Sequence, residues 1–396
     1  MPEGACVPRA RVRPGSLLIS EASARFVAEG HPWVLRDADT GPTEGFEAGD
    51  IVPLCTRDGR FHGRALIDPD ARIVARVVTR RADVLPDGDF FRKRAESALG
   101  LRRRLNLGSS CYRLIHGEAD GFPGLAVDVY NRWLVIQLYT KAADGLARRL
   151  AENLMALGIA EGACLKFLPS ERRGARPSLT WVKGGPGPET MIGIEEGMKV
   201  VLRPFSGFGT GFFADQRDNR RLASRLAANA RVLNAFAHTG TFSVACALGG
   251  GRVDSLDRSA AVLDEARDNF VLNQLDPSSH DFIAADVFAW MKACRPYDLI
   301  IMDPPTFSTH RGRVWNPRGL RDLAALSFRA LVPGGLLMFF SNYRKLSEDA
   351  LLNTLRAAVE EDIRVVQALG AAPDFPVKPG FPESRQLKGF LVQKLG

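Results

Sequence analysis

Three aspartates each close an apolar run in the second half of the chain. Asp257 ends Gly251-Arg252-Val253-Asp254-Ser255-Leu256, Asp286 ends Phe282-Ile283-Ala284-Ala285, and Asp303 ends Asp298-Leu299-Ile300-Ile301-Met302 ahead of Pro304-Pro305. Runs of this length and composition read as buried strands, so each carboxylate stands where its strand stops. A carboxylate there accepts hydrogen bonds from a ligand's hydroxyl or amine groups. A fourth run, Val232, Leu233 and Phe236, is broken by His238-Thr239-Gly240-Thr241 and followed by a small-residue helix, Phe242–Leu248. Strand, tight turn, helix and strand with a terminal carboxylate make the first βαβ unit of a nucleotide-type site. Gly240, lacking a Cβ, is expected to let the backbone approach a ligand. Asp257 is expected to accept both hydroxyls of a ribose.

The turn argues against a dinucleotide. A pyrophosphate cradle uses G-x-G-x-x-G, and this turn holds only Gly240, between His238 and Phe242. One glycine suits a ligand that carries an adenosine and no diphosphate, such as S-adenosylmethionine. Asp286 is then suited to the adenine amine. Asp303-Pro304-Pro305 forms a stiff loop, because Pro-Pro cannot continue a sheet interior. The plainer reading is that each aspartate merely ends a strand or caps a helix. Three at successive strand ends favour a methyltransferase.

The elements that must position these groups belong to a long chain. It has 396 residues, enough for two or three domains, with 45% hydrophobic and 25% charged residues. No apolar run approaches the ~20 residues of a membrane span, and the opening MPEGACVPRARVRPG lacks the apolar core of a secretory signal. Six scattered cysteines with no C-x-x-C pair argue against zinc and against a disulfide framework. A reducing cytoplasm is the expected compartment. The net charge of +8 favours a polyanionic partner.

Taken in order, residues 1–81 read as a small β-rich barrel. Its strands begin at His31-Pro32-Trp33, follow Gly49-Asp50, and continue as Phe61–Ile67 after an Asp58-Gly59 hairpin and as Ile73–Val78. Residues 82–201 read as an α+β linker: a basic helix from Phe90 to Leu105, a strand, turn and strand over Tyr112–Gly121 and Val127–Leu138, a helix Ala142–Leu157, and strands Leu165–Phe167 and Thr180–Lys183. Loops Arg172–Pro177 and Gly184–Pro188 separate the later elements. His116, Glu118 and Asp120 lie among Gly117 and Gly121 and read as a polar turn. Residues 202–396 carry the site. They open on a glycine-rich loop, Ser206–Gly211, and an amphipathic helix from Ala214 with Asp215 in its first turn. After Asp303 come a polar loop Ser308–Arg313, a helix to about Leu331, a strand Leu336–Phe340, a helix Asp349–Glu360, a strand Ile363–Leu369, a loop Asp374–Ser384 and a last strand Leu387–Lys394.

These features together resemble bacterial 23S rRNA methyltransferases built from an N-terminal PUA barrel, a linker and a class I S-adenosylmethionine domain. The resemblance rests on His31-Pro32-Trp33 with Gly49-Asp50, on Arg113–Gly124 (RLIHGEADGFPG), on Gly209–Arg217 (GTGFFADQR), and on Phe381-Pro382-Glu383 with Leu387-Lys388-Gly389-Phe390. It implies an α/β fold whose C-terminal domain is a Rossmann-like, seven-stranded, mostly parallel sheet with an antiparallel last strand. It implies S-adenosylmethionine as cofactor and 23S rRNA, free or in an assembling subunit, as partner, with no membrane and no metal. The oligomeric state, a homodimer included, stays open. By position it implies that Asn234, Ala235, Phe236, Thr239 and Gly240 hold the methionine end. Asp257 with Arg258 would hold the ribose and Asp286 with Val287 the adenine, while Asp215 and Arg217 come from the segment that closes over the cofactor. Asp303, Pro304 and Asn342 would meet the substrate.

One departure bears on the chemistry. Members that make 5-methylcytosine carry a cysteine after the fifth strand, where this chain has Ser341-Asn342-Tyr343. Cytosine C5 is a poor nucleophile until a thiolate adds to C6. Cys246, in the apolar helix, and Cys294, ahead of a strand, read as buried and misplaced. Asp303–Ser308 (DPPTFS) and Phe340-Ser341-Asn342 instead resemble the guanine-N7 methylating half of the bifunctional 23S rRNA methyltransferase. The expectation is therefore transfer to a purine nitrogen such as guanine N7. The alternatives are a cytosine-C5 enzyme with a nucleophile from elsewhere, and an RNA-binding assembly factor without turnover.

Overall fold

The computed structural model describes residues 15–167, 177–206, 210–305, 317–360 and 362–395. Much of the Arg172–Pro177 loop, half of the glycine-rich loop, and the segment Thr306-Phe307-Ser308 through Arg313 lie outside the described residues, as does Cys6.

The chain divides into two compact units. The first comprises Met1–Leu107, Arg113–Gly187 and Pro376–Ser384; the second comprises Gly108–Tyr112, Pro188–Phe375 and Arg385–Gly396.

The first unit begins with β1 (Leu17–Leu18), α1 (Glu21–Ala28), β2 (Trp33–Leu35), β3 (Ile51–Cys55), β4 (Phe61–Ile67) and β5 (Ile73–Thr79). The strands form one sheet in the order β1-β3-β4-β5-β2 over a core of Leu17, Val27, Leu54, Ile67 and Val74. Helix α1 was not anticipated, although Ser20 is a strong start signal: its hydroxyl caps the Ser23 amide at 3.0 Å. Next come α2 (Gly88–Leu105), β6 (Cys111–His116), β7 (Leu125–Tyr130), β8 (Trp133–Leu138), α3 (Asp144–Ala156), β9 (Gly162–Phe167) and β10 (Ser178–Lys183). Their sheet runs β10-β9-β8-β7-β6. The single strand expected over Val127–Leu138 is two, because Asn131 takes a left-handed φ of 54° and turns the chain back on itself. His116, Glu118 and Asp120 form a structural turn: Asp120 accepts both the Arg102 guanidinium and the His116 amide.

The second unit opens with the hairpin β11 (Met191–Glu195) and β12 (Met198–Leu202). There follow α4 (Arg217–Leu226), β13 (Arg231–Ala235), α5 (Thr241–Leu248), β14 (Arg252–Asp257), α6 (Ala260–Leu272), β15 (Asp281–Ala284), α7 (Val287–Trp290) and β16 (Tyr297–Met302). It closes with α8 (Pro317–Arg329), β17 (Leu331–Ser341), α9 (Glu348–Arg356), β18 (Ile363–Gly370) and β19 (Lys388–Lys394). Seven strands lie in the order β15-β14-β13-β16-β17-β19-β18. The first five are parallel, and β19 inserts antiparallel between β17 and β18. This is the mixed α/β sheet the resemblance implied. The central strands are buried on both faces, which accounts for their unbroken apolar runs.

The helix expected from Ala214 begins with a short 3-10 turn, and α4 proper starts at Arg217. Its inner face is not apolar. Arg217 and Arg220 are almost fully buried there, Arg217 against Asp374 and Arg220 in a two-pronged pair with Glu195, both contacts 2.7 Å. Helix α9 ends at Arg356, short of the expected Glu360.

Candidate active site

The chain leaves β13 for β14 and β15 on one side, then crosses to β16 and β17 on the other. The carboxyl ends of β13 and β16 therefore flank the point where strand order reverses, which is where open α/β sheets bind ligands. Register brings the expected residues to that edge. Ala235 pairs with Leu256 on one neighbour and with Met302 on the other. Phe236, Asp257 and Asp303 consequently stand level, with Phe236 between the two carboxylates. Met302 pairs with Phe339, so Phe340 joins the same row and Asn342 lies two residues beyond. Asp257 pairs with Ala284, which puts Asp286 just past the edge of β15.

The turn after β13 is held under strain. Phe236, His238 and Gly240 all have positive φ, at 60°, 49° and 73°. Non-glycine residues persist in that region only when neighbours fix them, and several do. The His238 amide donates to Asp257 Oδ2 at 3.0 Å, Thr239 Oγ1 donates to the Gly211 carbonyl at 2.5 Å, and Asn269 Nδ2 donates to the Thr239 carbonyl at 2.9 Å. Gly240 is also required by packing. A Cβ there would come within 2.7 Å of the Ala266 Cβ on α6, so its bareness serves helix packing as well as its left-handed backbone.

Asn234 and Arg217 also differ from expectation. The Asn234 amide donates to Ser243 Oγ at 2.9 Å, and Ser255 Oγ donates to the same atom at 2.8 Å. That buried network braces the turn from below and does not present Asn234 to a ligand. Arg217 is buried and paired with Asp374, and its Nη1 has no hydrogen-bond partner among the described residues.

Two of the carboxylates do local work. Asp257 accepts the Ser259 amide at Oδ1 as well as the His238 amide at Oδ2, both at 3.0 Å. Asp286 caps α7 by accepting the Ala289 amide at Oδ1 at 3.0 Å, with Val287 buried beside it. Each carboxylate oxygen has more than one acceptor site, so capping leaves capacity for a ligand. Arg258 is exposed next to Asp257.

Asp303 is different. Gln216 Nε2 donates to its Oδ2 at 2.9 Å, while its buried Oδ1 has no hydrogen-bond partner among the described residues. Burial, reinforced by the nearby Asp215 carboxylate, pushes the carboxyl up to about 7, against weaker opposing effects of Gln216 and Arg220. An under-satisfied buried carboxylate is what a cationic ligand would relieve. Pro304 is buried behind it, and Asn342 is half-buried at the end of β17. Burial also holds the His238 imidazole below its usual value, although Asp257 and Glu265 pull the other way. Sequence reasoning passed over Gln216, Arg220 and Asp374. Gln216 carried a local signal, since it lies between Asp215 and Arg217; Asp374 carried none.

No described cysteine stands at this edge. Cys246 is fully buried in α5, where burial drives its thiol far above the usual range. Cys294 lies at the opposite edge ahead of β16; it is half-buried, not buried as expected. Among the described residues no group of histidine, cysteine and carboxylates could hold a metal ion, and no helix is long and apolar enough to cross a membrane.

The donor set fits an adenosine ligand with a positive charge at its reacting end: Asp257 and Asp286 along one side, the strained turn in the middle, and the orphaned Asp303 oxygen on the other. Comparison with known proteins agrees. A family model described as S-adenosylmethionine-dependent methyltransferase matches residues 112–390, and one described as a PUA-like domain matches residues 17–80. Ribosomal RNA large subunit methyltransferase I of Erwinia tasmaniensis is 33% identical over 393 residues, spanning 95% of this chain and 98% of its own. The protein of that name from Shewanella denitrificans is 34% identical over 390 residues, spanning 93% and 96%. A solved putative S-adenosylmethionine-dependent methyltransferase from Streptococcus mutans superposes with a TM-score of 0.83 at 22% identity, over 96% of this chain and 99% of its own. A second solved structure, a putative methyltransferase complexed with SAH, reaches 0.85 at 22% identity, with the same 96% and 99% coverage. At that identity the likeness is one of fold.

Proposed function

The chain belongs to the S-adenosylmethionine-dependent methyltransferases, and from that premise we propose that it methylates 23S ribosomal RNA in the cytoplasm, at a purine ring nitrogen, guanine N7. The name shared by the relatives supports the RNA class, as do the net charge of +8 and the PUA-like match at residues 17–80. We divide the work among residues 1–81 for RNA capture, 82–201 as linker, and 202–396 for transfer.

The absence of a thiol carries the choice of acceptor. Ser341-Asn342-Tyr343 follows the fifth parallel strand, and Cys246 and Cys294 lie away from the carboxyl edge. Without a thiolate, cytosine C5 lacks the covalent activation it needs. Guanine N7 has an in-plane lone pair and no proton to lose, so alignment with the methyl group is the main requirement. S-adenosylmethionine supplies an electrophilic methyl on a sulfonium. The chain's own task is to hold adenosine through Asp257 and Asp286, keep the acceptor in line beside Pro304 and Asn342, and set the Asp303 carboxylate against positive charge. That charge passes to the purine when N7 takes the methyl, so the carboxylate is useful on both sides of the step.

Nucleoside mass spectrometry of 23S rRNA from a strain lacking the gene, before and after treatment with the purified protein, tests this reading. Gain of N7-methylguanosine is expected. Gain of 5-methylcytidine, with a covalent adduct on RNA containing 5-fluorocytosine, would overturn it.

A further inference from the structure

The first unit contains a cavity of about 540 Å³ whose lining includes His31, His62, Arg80, Arg81, Arg94 and Lys378. Its size suits a single nucleotide. The lining holds four cations and no carboxylate.

The cavity is assembled deliberately from distant segments. Lys378 comes from the stretch that returns to this unit after β18, and glycines lay it in position. Gly30 and Gly380, at φ 102° and 78°, meet backbone to backbone: a Cβ on Gly380 would come within 2.4 Å of the Glu29 carbonyl oxygen, and one on Gly30 within 3.2 Å of the Pro379 carbonyl oxygen. The Lys378 amide donates to Ser384 Oγ at 3.0 Å, and the Phe381 ring seats against Trp33 and His31 at centroid distances of 4.7 and 5.3 Å. Across the cavity, Arg94 is clamped by the Gly121 and Val78 carbonyls at 2.7 and 3.0 Å, with Phe90 stacked 4.0 Å from its guanidinium. Arg80 donates to the Ala28 carbonyl at 2.7 Å.

A structural role for these charges predicts carboxylate partners, as at the buried arginines: Arg102 has Asp120, Arg217 has Asp374 and Arg220 has Glu195. Among the described residues, Lys378 has no hydrogen bond or ion pair from its ammonium, and Arg94 bonds to carbonyls and a ring rather than to a carboxylate. Of the acids nearby, Asp83 pairs with Arg81 and Glu118 accepts from Trp33 and the Gly124 amide, while Glu383 Oε2 lies 3.7 Å from His31 Nε2 and has no hydrogen-bond partner among the described residues. Burial and the Arg94 charge, followed by a pull from Glu118 and repulsion from Arg80, leave Lys378 below its usual range, so its charge is held at a cost. An anion in the cavity would offset that cost.

We infer that this cavity is a phosphate-binding pocket that seats one nucleotide of the RNA strand outside the transfer site, its phosphate on Lys378, Arg80 and Arg94 and its base against His31 and Phe61. This rests on the reading that the substrate is RNA. Phosphate contacts position a strand without reading its sequence, so the pocket sets the register of RNA on the protein.

The test uses the full chain and a labelled single-stranded RNA of mixed sequence, titrated at several salt concentrations. Lys378→Glu should weaken binding at least tenfold and reduce the magnitude of the salt slope by about one contact, while Lys378→Arg retains affinity. Cofactor binding by calorimetry should stay unchanged in both, which also certifies the fold. If Lys378→Glu binds RNA with wild-type affinity and slope, the pocket assignment is overturned and the RNA reading survives. If the wild-type protein binds no RNA, the RNA reading falls and the inference with it. If inorganic phosphate binds the wild type but not Lys378→Glu, while RNA binds both alike, the pocket serves a free anion and its assignment to RNA is overturned.

Discussion

Gln216 Nε2 donates to Asp303 Oδ2 at 2.9 Å, and this is the single hydrogen bond holding a carboxylate whose other oxygen is buried and unpartnered among the described residues. Burial first, then Asp215, act to keep it protonated, and they outweigh the opposing effects of Gln216 and Arg220.

The consequence is a pH dependence with a definite sign. The folded carboxyl titrates at about 7 instead of 3.8, so between about pH 4 and 7 the folded protein keeps a proton that the unfolded chain has released. Stability contributed by this group is therefore greatest at low pH and is lost as pH rises through that window. The loss is bounded at roughly 4 kcal/mol. Thermal melts of the ligand-free protein at pH 5 and 8, compared with Asp303→Asn, should show a smaller pH difference in the variant. Calorimetry should show cofactor affinity rising with pH toward 8 in the wild type and flat in Asp303→Asn. An unchanged pH profile in the variant would assign the titration to another group.

Asp257→Ala should weaken cofactor binding by roughly 1.5–3 kcal/mol, the scale for hydrogen bonds to a charged group. The substitution also releases the His238 and Ser259 amides, so part of the loss is loosening of the strained turn. Asp257→Asn, which keeps one acceptor oxygen, should fall between alanine and wild type. Equal affinity across all three, measured by calorimetry, would refute the ribose assignment.

Replacing Cys246 and Cys294 together by alanine should lower stability by about 1 kcal/mol, chiefly through Cys246, which is fully enclosed in α5. Methyl transfer per folded molecule in a single turnover should stay near wild type. A variant that remains folded by circular dichroism but transfers no methyl would restore a covalent cytosine mechanism.

Arg220→Ala should destabilise the protein by roughly 3–5 kcal/mol, because it strands a buried Glu195. The double variant Arg220→Met with Glu195→Leu should recover most of that loss. Denaturant unfolding of the single and double variants measures both. If the double variant is as unstable as the single, the arginine matters through its other contacts, which include the Phe213 carbonyl at 2.8 Å and the Phe212 ring at 4.5 Å.

The strand ends and their carboxylates were legible in the sequence. Buried parallel strands announce themselves as apolar runs of fixed length, and a charged residue cannot continue such a run, so Asp257, Asp286 and Asp303 marked the sheet edge unaided. The absence of a thiol after the fifth parallel strand was equally plain. Only the tertiary structure decided which side chains face the ligand edge. Asn234 lies two residues before Phe236 yet turns into the core onto Ser243, because Asn234 is still on β13, whereas the strand ends at Ala235 and the left-handed backbone at Phe236 breaks its alternation. Gly240 also makes room for Ala266 on α6, a contact no local pattern encodes. The segment from Ala214 read as an amphipathic helix with Arg217 on the cofactor side, but Arg217 pairs with Asp374, 157 residues on, and Arg220 with Glu195, 25 residues back, and those partners are what permit burial. The pocket around Lys378 has the same origin. Its cations come from segments nearly three hundred residues apart, and their shared cavity exists only once the chain has returned on itself.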